Sequence, residues 1–345
     1  MRISPRTALL MALLGAGLTL VESPQALEKT EAKWVAKAPV TVAMRGKVSF
    51  AARKKPANTP LASRAEPWRV VHKLAVQSGS ALVIDQDGGD ALFQKNASAI
   101  APIASITKLM TAMVVLDSEP NLQATITISD DDIDLLRGSR SRLNVGAVMA
   151  RETALLLALM SSENRAAHAL ARHYPGGIEA FLAAMNIKAQ ALGMSDTRFE
   201  DPTGLTSNNV STARDLAKMV AVAHRYPLIR EWSTTPEAVV EVSGRDLAFH
   251  NTNPLVKSAA WDVGLSKTGY IHEAGKCLVM QARLADKPVV IVLLDSIGKL
   301  TRVGDANRIK RWLESMQPRL PAHTQAARKA PVHHAVLARA NLRHG

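Results

Sequence analysis

Hydrophobic and polar positions change rhythm several times along the chain, and each rhythm predicts an element. From Ser80, "ALVID" and "ALFQK" flank "QDGGD", two short apolar runs around a turn-rich break that read as a β-hairpin. After Ser105, the apolar residues Ile106, Leu109, Met110, Met113, Val114 and Leu116 recur at helical offsets and mark a helix with a broad buried face. Between 125 and 144, "TITI" reads as a strand. "SDDDIDLLRGSRSRLN" then reads as a solvated loop or a helix start, because carboxylates favour the positive end of a helix dipole. Residues 151–173 carry a strong helical pattern broken by "SSEN", and a second helix over 177–192 stops at Gly193. The loop "FEDPTGLTSNN" follows, and Ser211-Thr212 caps a further helix over 213–224. The last third shifts to strand rhythm in "AVVEV", "WDVGLSKTGY", "KCLVMQARLA" and "PVVIVLLDS", and closes with the helix "RVGDANRIKRWLE". This order predicts an α+β fold, a sheet closed by the two ends of the domain with a helical insertion over about 117–230.

The chain ends lack core rhythm. Arg2 and Arg6 precede an uncharged run over 7–21, followed by Glu22 and "SPQA". A basic start, a short apolar stretch and small residues describe a secretory signal over 1–26 and predict that the rest of the protein is exported. The run is short for a membrane span, which needs ~20 residues. Residues 27–66 are basic and irregular and read as a linker, leaving 67–316 as the folded domain. Residues 317–345, rich in Ala, Arg and His and carrying Pro318, Pro321 and Pro331, read as a disordered basic tail suited to peripheral contact with a membrane or an anionic wall.

Composition narrows the partners. With 345 residues, 47% apolar and 21% charged, the chain is globular in type. Its net charge of +13 favours anionic partners. Aromatics at 4% are too few for single-strand stacking platforms, which argues against nucleic acid. Cys277 is the only cysteine, so neither an intramolecular disulfide nor a zinc ribbon can form.

Several chemistries are excluded by motif. There is no H-E-x-x-H and no G-x-S-x-G. "GYIHEAGKC" departs from a P-loop, with five residues between Gly269 and Gly275 and no Ser or Thr after Lys276. Asp85, Asp87 and Asp90 lack the later ligands of a calcium loop and read as turn chemistry. His168 and His173 read as packing or surface residues. Neither a metal nor a cofactor is expected.

Three short motifs remain. Ser105-Ile106-Thr107-Lys108 opens the first helix, Ser162-Glu163-Asn164 interrupts the helical insertion, and Lys267-Thr268-Gly269 sits on a predicted strand. Two have rivals. Ser296-Ile297-Gly298-Lys299 repeats S-x-x-K, but Gly298 breaks a helix there. Ser207-Asn208-Asn209 repeats S-x-N in a polar loop. A serine hydroxyl needs an adjacent base, and Lys108 serves only when neutral; burial and a second cation, Lys267, would both favour that state.

In this order, 57 and 105 residues apart, the three motifs resemble those of the penicillin-recognising serine enzymes. "PIASITKLMTA", "LMSSENRAA", "DPTGL", "NTNPL" and "GLSKTGY" extend the resemblance over about 70–310 to the low-molecular-mass D-alanyl-D-alanine peptidases, serine peptidase family S11, and within it to endopeptidases of the penicillin-binding-protein-7 type. The resemblance implies an antiparallel sheet flanked by helices with a helical subdomain, a DD-peptidase/β-lactamase-like fold. It implies Ser105 as nucleophile, Lys108 as base and Ser162 as proton relay. Asn164 would hold the substrate amide, and Lys267, Thr268 and Gly269 would bind the substrate carboxylate. The backbone N–H groups of Ser105 and Tyr270 would form the oxyanion hole. The implied partners are peptidoglycan stem peptides, with β-lactams as covalent inhibitors. Three alternatives stay open: a D-Ala-D-Ala carboxypeptidase, a class A-like β-lactamase and a non-catalytic cell-wall-binding protein. For the lactamase, Glu200 falls 38 residues after Ser162, but Gly204 stands where that class has asparagine.

Overall fold

The computed structural model describes residues 74–316. The signal, the linker, the start of the domain to residue 73 and the basic tail lie outside the described residues. The predicted hairpin forms as β1 (Ser80–Asp85) and β2 (Ala91–Lys95). After a short β3 (Ala101–Pro102) comes α1 (Thr107–Asp117). The strand β4 (Thr125–Thr127) pairs with β5 (Val148–Ala150), and α2 (Arg151–Met160), α3 (Asn164–Arg172) and α4 (Gly177–Ala191) follow. A two-residue β6 (Val210–Ser211) leads into α5 (Ala213–Ala223), whose N-cap Thr212 accepts from the Asp215 N–H at 3.1 Å. Then come α6 (Pro227–Thr234), β7 (Glu237–Val242) and β8 (Arg245–His250). The chain finishes with β9 (Asp262–Ile271), β10 (Gly275–Leu284), β11 (Lys287–Ser296) and α7 (Thr301–Met316).

The main sheet is antiparallel, in the order β2-β1-β11-β10-β9. Its first hairpin therefore pairs with its last strand, as the closure of the sheet by the domain ends requires. Side chains alternate across it. Ala81, Val83, Leu278, Met280, Ile291 and Leu293 pack under α7 with Ala306, Ile309 and Leu313. Leu82, Val279, Val290, Val292 and Leu294 join the helical subdomain on the other face. Runs such as "PVVIVLL" lack polar alternation because both faces are covered. The α+β architecture expected from the sequence is the one observed.

Three readings need correction. "AVVEV" is a strand, but it pairs with the unpredicted β8 in a separate hairpin rather than in the main sheet. Alternation reports a strand and not its partner. Helix α6 was also missed; Pro227 occupies its first turn, where a missing N–H costs nothing. The acidic run is not a solvated loop throughout. Asp132 is buried, accepts from Arg172 Nη2 at 2.9 Å and lies 2.7 Å from His168 Nδ1. Burial opposes its ionisation, but hydrogen bonds from His168, Arg172 and Ser129 outweigh it and bring the carboxyl down to about 2.

Candidate active site

The turn before α1 sets the site. Ser105 lies in a 3₁₀ turn, Ala104–Ile106, that runs straight into α1, so Lys108 falls one turn on and on the same face. Ala104 holds φ at +49°, a left-handed value that costs a residue with a Cβ on the order of 1 kcal/mol. Two glycines press on the peptide that carries Ser105. A Cβ on Gly204 would lie 1.9 Å from Ala104 O, and one on Gly269 would lie 3.1 Å from Ser105 N. Gly204 also has φ at +81°. Gly204→Ala is therefore expected to displace the Ala104–Ser105 peptide and to slow acylation of Ser105 by penicillin about 100-fold, the scale of an ångström misplacement. An unchanged acylation rate would show that the 201–206 loop yields instead.

Lys108 is wholly buried. Its Nζ makes three contacts: Ser105 Oγ at 2.9 Å, Asn164 Oδ1 at 2.7 Å and Thr203 O at 2.7 Å. Two of these are carbonyl oxygens, which only accept. A neutral amine has two N–H donors for them and one lone pair left, and Ser105 Oγ–H is the partner that can fill it. Burial is the first cause of a fall in the Lys108 pKa from 10.5 to about 7, with Asp201, Glu163 and Asp134 pulling it back up. The expected push from Lys267 is not among the causes acting on Lys108. It falls on Lys267, which burial first, then the Lys108 and Arg302 charges, hold well below the ordinary lysine value. Repulsion between two cations is mutual. The direction that holds for both is downward, with burial as its main cause.

The α2–α3 junction brings in the second motif. Ser162 sits between the helices with φ at +63°, and its hydroxyl has no hydrogen-bond partner among the described residues. Asn164, two residues on, is committed at both ends: Oδ1 accepts from Lys108, and Nδ2 donates to Ser139 Oγ at 2.8 Å. Its second Nδ2 hydrogen and second Oδ1 lone pair are left for the substrate amide it is expected to hold.

The third motif lies on β9, the open edge of the sheet. Ser266 N donates outward to Ser233 Oγ at 3.3 Å, so by the two-residue period Thr268 and Tyr270 also turn their backbone groups to the edge. The Tyr270 N–H thus turns to the side of β9 away from β10. Lys267 is buried, with Nζ donating to Thr268 O at 3.1 Å, and Thr268 Oγ1 donates to Thr252 Oγ1 at 2.7 Å. Asn253 Nδ2 donates to Ser266 Oγ at 2.8 Å, so "NTNPL" anchors this strand.

Sequence reasoning missed several contributors. Asp201 organises its loop by accepting from the N–H groups of Gly204 at 2.7 Å and Thr206 at 2.9 Å, which aims the Thr203 carbonyl at Lys108. Asn209, in the rival S-x-N, is a buried pin: its Oδ1 accepts from Glu200 N at 2.7 Å and its Nδ2 donates to Thr107 Oγ1 at 3.0 Å. Arg302 on α7 donates to Gly269 O at 2.9 Å and Cys277 O at 3.0 Å, adding a third cation behind the K-T-G strand. Asp201 lies within "DPTGL", although its role there is visible only in the fold, whereas Asn209 and Arg302 had no local signal because their partners are distant in sequence. The rival Ser296 is buried in a fold contact, 2.7 Å from Ser78 Oγ, which donates to Asp305 Oδ2 at 2.6 Å. Glu200 is held by Arg198 and by Asn208 Nδ2 at 2.7 Å, away from the lysine pair's contacts. Among the described residues no cluster of His, Cys, Asp or Glu could hold a metal ion. A cavity of about 190 Å³ opens beside the site, lined by Asn164, Thr203, Leu205 and Asp134 among others.

A half-exposed serine on a buried lysine, beside a strand edge, can carry out acyl transfer through serine. Residues 68–298 match the profile of peptidase family S11, D-alanyl-D-alanine carboxypeptidase. A D-alanyl-D-alanine endopeptidase of Pseudomonas aeruginosa is 51% identical over 254 residues, which are 73% of this chain and 82% of that protein. One from Escherichia coli is 46% identical over 242 residues, 70% of this chain and 78% of that protein. The crystal structure of a Streptomyces DD-transpeptidase matches with a TM-score of 0.66 at 29% identity, covering 70% of this chain and 98% of that one. The family match takes in all three motifs, and the chain belongs to the S11 family of D-alanyl-D-alanine peptidases.

Proposed function

We propose that this chain, a serine DD-peptidase by family, works chiefly as an endopeptidase that opens D-alanyl cross-links in peptidoglycan. The observation that carries the chemistry is Lys108 Nζ, buried and 2.9 Å from Ser105 Oγ, with both other contacts fixed as acceptors. In this reading neutral Lys108 takes the Ser105 proton as Oγ attacks the D-alanyl carbonyl carbon. The oxyanion forms between the N–H groups of Ser105 and Tyr270. Ser162, unpartnered and two residues from Asn164, relays the proton to the leaving amine as the C–N bond breaks. Lys267 and Thr268 bind the leaving residue's carboxylate, and Asn164 holds the donor amide. Water then releases the acyl group from Ser105. The same serine attacks β-lactams.

The endopeptidase preference rests on relatives of that name, whereas the family description is that of a carboxypeptidase. Digestion of purified cross-linked muropeptide dimers separates the two. Dimers are expected to fall to monomers, and release of free D-alanine without loss of dimers would assign a carboxypeptidase. The reading also places the protein in the periplasm, with 1–26 as its export signal, 27–66 as a linker and 67–316 as the catalytic domain. Among the described residues no helix is long and apolar enough to cross a membrane.

A further inference from the structure

One ion pair joins the two walls of the groove. Arg137 Nη2 lies 2.9 Å from Glu273 Oε2, and its Nε donates to Leu205 O at 2.5 Å. Arg137 belongs to the loop that supplies Ser139 to Asn164, a loop folded by Asp134, which accepts from the N–H groups of Arg137 and Ser139, each at 2.9 Å. Glu273 stands in the turn after β9, four residues past Gly269. Leu205 follows Thr203 and Gly204, which touch Lys108 and the Ser105 peptide. The pair is therefore anchored to three segments of the site. Both side chains remain partly open to solvent, at 24% and 45%.

The direction of a bound substrate follows from the reading above, on which this inference rests. If the leaving carboxylate sits at Lys267 and Thr268, the donor strand runs the other way along β9, from Tyr270 toward Glu273. At ~3.3 Å per residue, the second and third residues back from the scissile bond lie opposite 271–273. In a stem peptide those residues are diaminopimelate and γ-linked D-glutamate, and each carries a free carboxylate. A guanidinium at that place already holds a carboxylate, that of Glu273, on a surface turn.

We propose that Arg137 is a specificity-determining residue for the donor stem peptide, which it recognises by a free carboxylate that takes the place of Glu273. The exchange makes and breaks no covalent bond and conserves charge at Arg137. Glu273 is then a built-in competitor that keeps the arginine positioned when the groove is empty.

Synthetic donor peptides ending in D-alanyl-diaminopimelate test this in three forms: both donor carboxylates free, the D-glutamyl carboxyl amidated, and the donor diaminopimelyl carboxyl amidated. For the wild-type protein, amidating the recognised group should lower kcat/KM about tenfold, the scale of one charge-assisted hydrogen bond, and mainly through KM. Which amide has the effect identifies the carboxylate. Arg137→Gln should remove the difference between acid and amide. Glu273→Gln should lower KM for the free acid several-fold and leave the corresponding amide unchanged, which keeps the test open should Arg137→Gln fold poorly. A wild-type protein that turns over acid and both amides equally, while Ser105 still takes up penicillin, overturns the role of Arg137 alone. Failure of the wild type both to turn over the peptides and to take up penicillin overturns the underlying functional reading as well.

Discussion

Ser105→Ala is expected to abolish the covalent penicillin adduct and to lower muropeptide hydrolysis by at least about 10⁴-fold, in keeping with loss of a nucleophile that works as a unit with its base. The turn that carries Ser105 is held by Gly204, Gly269 and the start of α1, and its hydroxyl contacts only Lys108, so folding should be little affected. Intact-mass measurement after exposure to penicillin reads the result directly. A stoichiometric adduct on the Ser105→Ala protein would sink the assignment. The second S-x-x-K provides a control. Ser296 is buried 2.7 Å from Ser78 Oγ, beside Asp305, so Ser296→Ala should cost about 1 kcal/mol of stability and leave the adduct intact. The same tetrapeptide pattern thus separates into a chemical and a structural serine by what surrounds it.

That separation shows what local sequence can carry. The β1–β2 hairpin, α1 and the long strands β9 to β11 were legible because their rhythm is local and their ends bear turn or cap residues. The partner of "AVVEV" was not, since pairing with β8 is set by a hairpin whose second strand, "RDLAFH", carries three charged or titratable residues in six. At the site, residues acting through their own side chains in a motif were legible by resemblance. Thr203 acts through its carbonyl, Gly204 through the absence of a Cβ, and Arg302 from a helix 35 positions past Lys267. Such contributions exist only once the chain is folded. The charge state of Lys108 was half legible: its downward shift followed from the chemistry required, but the main cause is burial, which the sequence shows only as an apolar helix.

Lys108→Met should combine a large loss of activity with a gain in stability. Without a general base, acylation is expected to fall by about 10³–10⁴-fold. In the wild type, acylation should rise with pH through about 7, where Lys108 loses its proton, and level off above it. Stability follows from the same shift. Between about 7 and the unfolded value near 10.5, the unfolded chain holds a proton at this position that the folded chain does not, so unfolding free energy rises with pH across that window. At and below pH 7 the folded protein therefore bears the full burden of a buried cation, on the order of 5 kcal/mol. Methionine removes it but leaves the Asn164 and Thr203 carbonyls without a donor, which costs about 2 kcal/mol each. The balance favours the variant by about 1 kcal/mol at pH 6–7, a rise in Tm of about 3 °C. Its advantage should shrink toward pH 10, where the wild type no longer buries a charge there, and any remaining slope belongs to Lys267, shifted in the same direction. Melting curves of both proteins from pH 6 to pH 10 test this. A variant less stable than the wild type at pH 6, or a wild type whose stability does not rise between pH 7 and pH 10, would show that Lys108 keeps its proton on folding, and the base would have to be sought elsewhere.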